Sequence, residues 1–208
     1  GSLLELGKIN NIVYRSETGK IVVNKRILPQ NGLDSLPTPA WDMLPLERYT
    51  LPFTGEKYLL VETSRGCPFS CDFCVAPLYH GTMFRQKTPT SVVDEIETLK
   101  KQHKIGAFYL WGDTVTLNKK FISELCDEIV RRKLKIKWFS NSRADTISEF
   151  ELVKKMKDSG CWMLSLGIES FNEKTLDSIQ KKLSVEKIIH SLNLLHRVGI
   201  ISFGFFIL

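Results

Sequence analysis

Residues 58–74 read YLLVETSRGCPFSCDFC, an apolar run followed at once by three cysteines. The run Tyr58–Thr63 is short and apolar, as expected of a buried strand. Cys67, Cys71 and Cys74 then follow with the spacing C-x₃-C-x₂-C. A loop this tight can place three thiolates around one iron–sulfur cube, and three ligands for four irons leave one iron open. We therefore predict a [4Fe–4S] cluster with an open position, the feature that separates catalytic metal sites from closed structural ones.

Strand and helix patterns alternate downstream of the cysteine loop. Apolar runs predict further strands over 107–111, about 136–139, 162–168 and 200–208, and helical periodicity predicts helices after Thr88-Pro89, over 121–129, over about 148–158 and over about 185–197. Strands separated by helices indicate β-α-β units with right-handed crossovers. Near-continuous apolar strands are typical of a sheet covered on both faces. The sequence therefore predicts an α/β fold with a parallel sheet over 58–208.

The first 57 residues have a different character. They are rich in turn formers, and Pro29, Pro37, Pro39, Pro45 and Pro52 lie close together, which disfavours helices and central strands there. The alternation on either side of Thr18-Gly19 predicts a small hairpin. We expect residues 1–57 to form a connector segment around the domain of residues 58–208. We expect Trp41, Leu44 and Phe53 to anchor this segment.

Composition excludes several classes of protein. The chain has 208 residues, 43% hydrophobic and 25% charged, which is typical of one globular domain. It has neither an apolar run of the roughly 18–20 residues that a membrane helix needs nor a visible signal peptide. Cysteines crowded into one loop are also unlike a disulfide framework. These patterns predict a cytoplasmic protein with no membrane partner.

The net charge of +6 raises the question of a nucleic-acid partner. The basic residues cluster at the ends of two predicted helices, at 100–104 and 131–133, where cations stabilise the negative end of the helix dipole. This placement favours surface charge over a nucleic-acid-binding face.

Two other uses of the cysteine loop remain open. A zinc site normally has four ligands, and His80 is the nearest candidate for a fourth. An iron–sulfur electron carrier would need a fourth thiolate to close the cluster. The remaining cysteines, Cys126 and Cys161, fall on a helical apolar stripe and at the start of a strand, so we expect both to be small core residues.

Residues 63–74, together with Gly167–Ser170, resemble the radical S-adenosylmethionine superfamily. The resemblance implies a partial (β/α)₆ barrel that is truncated here after its fifth strand. It also implies that S-adenosylmethionine chelates the open iron and is reductively cleaved to a 5′-deoxyadenosyl radical, which abstracts hydrogen from a substrate. An electron donor such as ferredoxin or flavodoxin would supply the electron.

The same resemblance implies further cofactor-binding residues. Phe73 would pack near the adenine, with simple loop packing as the alternative. Asp113 would bind the methionine ammonium, unless it caps the following helix. Arg143 would pair with the cofactor carboxylate through two hydrogen bonds, unless it forms a surface ion pair. Glu169 and Ser170 would bind ribose hydroxyls, with a structural role as the alternative.

The segments Gly19–Val22 and Leu33–Asp42 resemble the connector of cobalamin-linked radical enzymes, which include magnesium-protoporphyrin ester cyclase-like proteins and radical methylases. This branch implies methyl transfer or cyclisation with cobalamin bound by another domain, whose Asp-x-His-x-x-Gly signature does not occur in these residues. Because the last residues form a bare apolar strand, we expect the native chain to continue. A methylthiotransferase acting on tRNA or protein is an alternative, which would need a second cluster domain and an RNA-binding tail.

Overall fold

The computed structural model describes residues 3–27, 32–52 and 54–208, and the chain divides into two compact units, Gly1–Gly32 and Leu33–Leu208. The first unit contains helix α1 (Leu3–Leu6) and strands β1 (Val13–Arg15) and β2 (Ile21–Val23). The two strands pair antiparallel with Tyr14 opposite Val22, so the predicted hairpin is confirmed. Its turn contains Gly19 at φ 79°, in the left-handed region that favours glycine.

The second unit begins with three 3₁₀ turns, Leu33–Ser35, Trp41–Met43 and Leu46–Arg48. In chain order the elements that follow are β3 (Tyr58–Glu62), β4 (Ser64–Arg65), α2 (Ala76–His80), β5 (Arg85–Gln86), α3 (Pro89–His103), β6 (Ala107–Trp111), α4 (Lys119–Arg131), β7 (Lys137–Ser142), a 3₁₀ turn (Ala144–Thr146), α5 (Phe150–Asp158), β8 (Cys161–Glu169), α6 (Glu173–Ser178), α7 (Val185–Val198) and β9 (Ile201–Phe206).

Five of these strands form one parallel sheet in the order β3-β6-β7-β8-β9. All four strand pairs are parallel, and helices α3, α4, α5 and α7 occupy the crossovers. The predicted α/β fold is therefore confirmed, with five parallel strands of a partial (β/α) barrel. The short antiparallel pair β4–β5, which brackets the cysteine loop, was not predicted from the sequence.

The main core lies between the sheet and these helices. The apolar stripe predicted for α4 is buried, from Phe121 at 4% exposure to Leu125 at 0%. Trp138 on β7 is also fully buried and donates its indole N–H to Ser159 at 3.1 Å. Because burial of apolar area contributes roughly 25 cal/mol per Å², this layer is the main source of stability for the sheet.

The opposite face of the sheet carries aromatic side chains. Tyr109 and Phe139 stack with ring centroids 4.8 Å apart, and Tyr58 and Trp162 contact Phe139 edge-on. Leu51, from the segment before β3, packs in the same cluster. These aromatic contacts connect β3, β6, β7 and β8 on this face of the sheet.

Of the three predicted anchors, Trp41 packs against the main core as expected. Leu44 does not: its side chain is 41% exposed, because it follows a 3₁₀ turn that directs Trp41 inward instead. Phe53 lies outside the described residues.

Helix termini follow the predicted signals. Thr88 caps α3 by accepting a hydrogen bond from the Ser91 N–H, with Pro89 in the first turn, and Gly199 ends α7 in the left-handed conformation. Near the C-terminus of α4, Arg132 pairs with three carboxylates, those of Asp94, Glu97 and Glu128. No helix among the described residues combines the length and apolar character needed to cross a bilayer.

Candidate active site

The candidate site lies at the carboxyl ends of the parallel strands. The cysteine loop follows β3 and β4, Asp113 follows β6, Arg143 follows β7, and Glu169 ends β8. Because the carboxyl ends of parallel strands meet at one edge of a sheet, residues far apart in sequence meet here, as is usual for α/β active sites.

The cysteine loop is held by backbone hydrogen bonds from several directions. The Gly66 N–H donates to Oδ2 of Asp113 at 3.1 Å, and the Cys67 N–H donates to the Gly81 carbonyl at 3.3 Å. Gly66 has φ 90°, and a Cβ there would overlap with the Met83 carbonyl oxygen. Only glycine fits this position, because a side chain would be strained at this positive φ and would overlap with the Met83 carbonyl.

All three loop cysteines are free thiols. Cys67 is buried and Cys71 and Cys74 are half-buried. Burial raises the pKa of the Cys67 thiol. In contrast, Cys126 and Cys161 are each 1% exposed in the core, as predicted, and burial raises the pKa of Cys126 to about 12.

The cysteine loop presents three thiol donors. In a cubane cluster each thiolate binds a different iron. Three thiols on one loop, with a guanidinium N–H directed at one sulfur, fit this donor pattern.

Asp113 contacts the start of the cysteine loop and the last residue of α2, and it does not cap α4. Its Oδ2 accepts the Gly66 N–H and lies 3.6 Å from Nδ1 of His80. The cap of α4 is Asn118, whose Oδ1 accepts from the Phe121 N–H at 3.1 Å. Asp113 is therefore not the N-cap of α4, which was the alternative role predicted for it.

Gly112, next to Asp113, packs closely against two hydroxyl groups. A Cβ on Gly112 would come within 2.5 Å of Ser64 Oγ and 2.8 Å of Thr63 Oγ1. Ser64 Oγ is buried and has no hydrogen-bond partner among the described residues. Glycine at 112 thus lets these two buried hydroxyls pack directly against the backbone at the end of β6.

Arg143 is 5% exposed, so the alternative of a surface ion pair does not apply. Its Nε and Nη2 each donate to one carboxylate oxygen of Asp145 at 3.0 Å, and Nη2 also donates to the Lys181 carbonyl at 2.9 Å. The predicted two-bond pairing with a cofactor carboxylate would need a free edge, but Asp145 occupies the Nε–Nη2 edge and the Lys181 carbonyl takes the other N–H of Nη2. A carboxylate-binding role for Arg143 stays a prediction, restricted to the remaining N–H.

Glu169 has a buried cationic partner, Lys181, that was not predicted from the sequence. Nζ of Lys181 lies 2.9 Å from Oε1 of Glu169, and both side chains are buried. The same Nζ lies 5.6 Å from the ring centroid of Phe73. In sequence, Lys181 is one of two adjacent lysines after a short helix, and no local signal separates it from exposed Lys182.

Ser170 and Phe73 complete the set of predicted residues. Ser170 Oγ accepts the Asn172 N–H at 3.1 Å, and the Phe73 ring is 43% exposed. The structure therefore connects the cysteine loop, which includes Phe73, to Asp113 and Arg143 directly and to Glu169 through Lys181. Ser170 instead contacts Asn172 in the turn that follows β8.

Comparisons with known proteins identify the family of this chain. The radical SAM superfamily model matches residues 61–208. The anaerobic magnesium-protoporphyrin IX monomethyl ester cyclase of Rubrivivax gelatinosus is 32% identical over 200 residues, which are 96% of this chain and 36% of that protein. An uncharacterized methyltransferase of Pyrococcus horikoshii is 34% identical over 205 residues, covering 98% of this chain and 44% of the relative. The chain thus spans less than half the length of both relatives.

A solved structure extends the likeness to three dimensions. The cobalamin-dependent S-adenosylmethionine radical enzyme OxsB, with aqua-cobalamin and S-adenosylmethionine bound, matches with a TM-score of 0.78 and 25% identity. The match covers 95% of this chain and 29% of that one. With the family match over most of its length, the chain belongs to the radical S-adenosylmethionine superfamily of enzymes.

Proposed function

We propose that residues 58–208 form the core of an enzyme that binds a [4Fe–4S] cluster on Cys67, Cys71 and Cys74 and cleaves S-adenosylmethionine there. The observation that carries the proposal is the position of the cysteine loop. It leaves the first strand at the edge where Asp113, Arg143 and Glu169 also end their strands. When bound, the cluster would supply one electron, taken from the external reductant, that breaks the sulfonium–C5′ bond of S-adenosylmethionine to give methionine and a 5′-deoxyadenosyl radical. The protein would position the reactants and exclude water.

The residues around the loop have roles that follow from their chemistry. Asp113 is an acceptor at the loop entrance and would bind the methionine ammonium. The one N–H of Arg143 without a partner in the described structure is suited to a single hydrogen bond to the methionine carboxylate.

The nucleoside would lie at the end of β8. Oε1 of Glu169 binds Lys181, which leaves Oε2 to accept a ribose hydroxyl, and Ser170 Oγ is a second hydroxyl partner. The half-exposed ring of Phe73 offers an apolar face for the adenine.

We also propose the cobalamin-linked branch of the superfamily. The names of the relatives and of OxsB support a cyclisation or methyl transfer in which another domain supplies the corrinoid. Residues 1–57 would then be the connector to that domain. We further propose a cytoplasmic location and ferredoxin or flavodoxin as the reductant. A native-length protein that binds no corrinoid would contradict the assignment to this branch.

Anaerobic iron–sulfide reconstitution of the native-length protein tests the central proposal. Reduction should give the electron paramagnetic resonance (EPR) signal of a [4Fe–4S]⁺ cluster, S-adenosylmethionine should change that signal, and 5′-deoxyadenosine should accumulate. Cys71→Ala should lose the cluster, whereas Cys126→Ala, a substitution in the helical core, should retain it. Zinc binding without iron, or a fourth side-chain ligand on the cluster, would contradict the proposal.

A further inference from the structure

We propose that Arg143 is a positioning residue for the cluster, which fixes Cys71 and raises the reduction potential of the site. This inference rests on the proposed function. It differs from a role in binding S-adenosylmethionine, because the contacts that carry it are made to the cysteine loop itself.

Arg143 contacts the loop at two points. Nη1 donates toward Sγ of Cys71 at 3.7 Å, within the range of a hydrogen bond to sulfur. The guanidinium carbon lies 3.8 Å above the ring centroid of Phe69, in the middle of the cysteine loop. Such stacking of arginine on an aromatic face is attractive and favours one orientation of the planar group.

The rest of the guanidinium is held by other elements. Asp145 binds its Nε–Nη2 edge with two hydrogen bonds of 3.0 Å, and the Lys181 carbonyl accepts a second N–H of Nη2 at 2.9 Å. An arginine has five N–H donors, of which four are engaged here. The side chain thus connects the end of β7, the segment after α6 and the cysteine loop, and it cannot rotate without losing several bonds.

The orientation of the Arg143 guanidinium determines which group faces the cluster. Because Asp145 takes one edge, Nη1 remains at the sulfur, so the group closest to Cys71 is a positively charged N–H donor. Hydrogen bonds to ligand sulfurs and nearby charge set the potentials of iron–sulfur clusters. Reduction adds one electron, delivered by an external reductant, and therefore one negative charge to the cluster. A buried cation, weakly screened by solvent, stabilises that reduced state.

A redox titration of the reconstituted native-length protein, followed by EPR without S-adenosylmethionine, tests this inference. In Arg143→Gln the ratio of reduced to oxidised cluster at a fixed potential should fall about tenfold, a shift of about 59 mV to a more negative midpoint for one electron. The midpoint potential of Arg143→Lys should lie between those of the wild type and Arg143→Gln, because lysine keeps the charge but cannot pair with both oxygens of Asp145. Arg132→Gln is the matched control: it removes an arginine with three carboxylate partners between α3 and α4, and its midpoint should equal that of the wild type.

Hydrogen exchange on the metal-free protein gives a second readout. Residues 67–74 should exchange faster in Arg143→Gln than in the wild type, while Arg132→Gln should leave this loop unchanged. If Arg143→Gln retains no cluster, the midpoint of Arg143→Lys decides: a value below the wild type supports the inference, and an equal value overturns it. Equal midpoints for the wild type and Arg143→Gln also overturn it. A wild-type protein that assembles no cluster would instead contradict the proposed function.

Discussion

Lys181 and Glu169 form a buried ion pair at the end of the fourth strand of the sheet, with Nζ 2.9 Å from Oε1 and exposures of 6% and 7%. Glu169 has φ 64°, an uncommon conformation for a residue with a side chain. A Cβ on nearby Gly167 would come within 2.7 Å of both charged groups, so glycine leaves room for the pair. The pair joins the predicted ribose-binding carboxylate to the segment after α6.

Lys181→Met should lower the free energy of unfolding by about 3–5 kcal/mol, because removing one partner leaves an uncompensated buried charge. Adding Glu169→Gln to that variant should recover part of the loss, since the neutral amide needs no counter-ion. Urea unfolding of the variants measures both effects. Lys182→Met makes the same chemical change at the exposed neighbouring position and should stay within about 0.5 kcal/mol of the wild type. A Lys181→Met protein as stable as this control would contradict the importance of the pair.

Gly66→Ala should lower the iron and sulfide content after reconstitution severalfold. Gly66 combines a positive φ of 90° with a neighbouring carbonyl, that of Met83, which a Cβ would overlap. The loop must therefore shift, and Cys67 is the next residue. Iron and acid-labile sulfide assays on the purified protein measure the effect.

Gly55→Ala is the control for Gly66→Ala, because it introduces the same kind of backbone strain without steric overlap. Gly55 also has a positive φ, 67°, but nothing lies within 4 Å of its added Cβ. This variant should lose about 1 kcal/mol of stability from the left-handed backbone and keep wild-type cluster content. Equal cluster content in both variants would show that the Gly66 contact does not position the loop.

The five cysteines should separate by reactivity in the metal-free folded protein. A thiol must ionise to react, and burial holds the pKa of Cys126 at about 12 and that of Cys161 well above its ordinary value. Iodoacetamide at pH 8 should therefore modify the half-buried Cys71 and Cys74 but not Cys126 or Cys161. Peptide mass spectrometry locates the adducts, and unfolding in urea should make all five react. Modification of Cys161 without urea would contradict the packed position at the start of its strand.

Sequence patterns predicted the regular part of the fold because its signals are local. The proline after Thr88, the stripe from Phe121 to Ile129 and the glycine at 199 each specify their own helix, and the elements occur where those signals place them. The positions of the candidate residues at strand ends follow from the same reasoning.

The partners of those residues could not be predicted in the same way. Lys181 reaches Glu169 across 12 residues, and Arg143 reaches Cys71 across 72. These contacts depend on how the segment after α6 and the cysteine loop fold over the sheet edge, which no periodicity encodes. The prediction that Leu44 is an anchor was wrong for a related reason. In an irregular segment an apolar residue has no periodic neighbours that indicate which way it points.

The buried phenol of Tyr109 should make the free energy of unfolding decrease as the pH rises into the alkaline range. Burial beside Phe139 raises the pKa of its phenol from 10 to about 12. Between these values the unfolded chain loses the phenolic proton while the folded chain keeps it, so stability must decrease as pH rises. Urea unfolding from pH 9 to 11.5 should show a shallower decrease for Tyr109→Phe than for the wild type. Tyr79→Phe alters a phenol that is 74% exposed and should follow the wild-type curve. Parallel curves for Tyr109→Phe and the wild type would mean that the Tyr109 phenol ionises as readily in the folded chain as in the unfolded one.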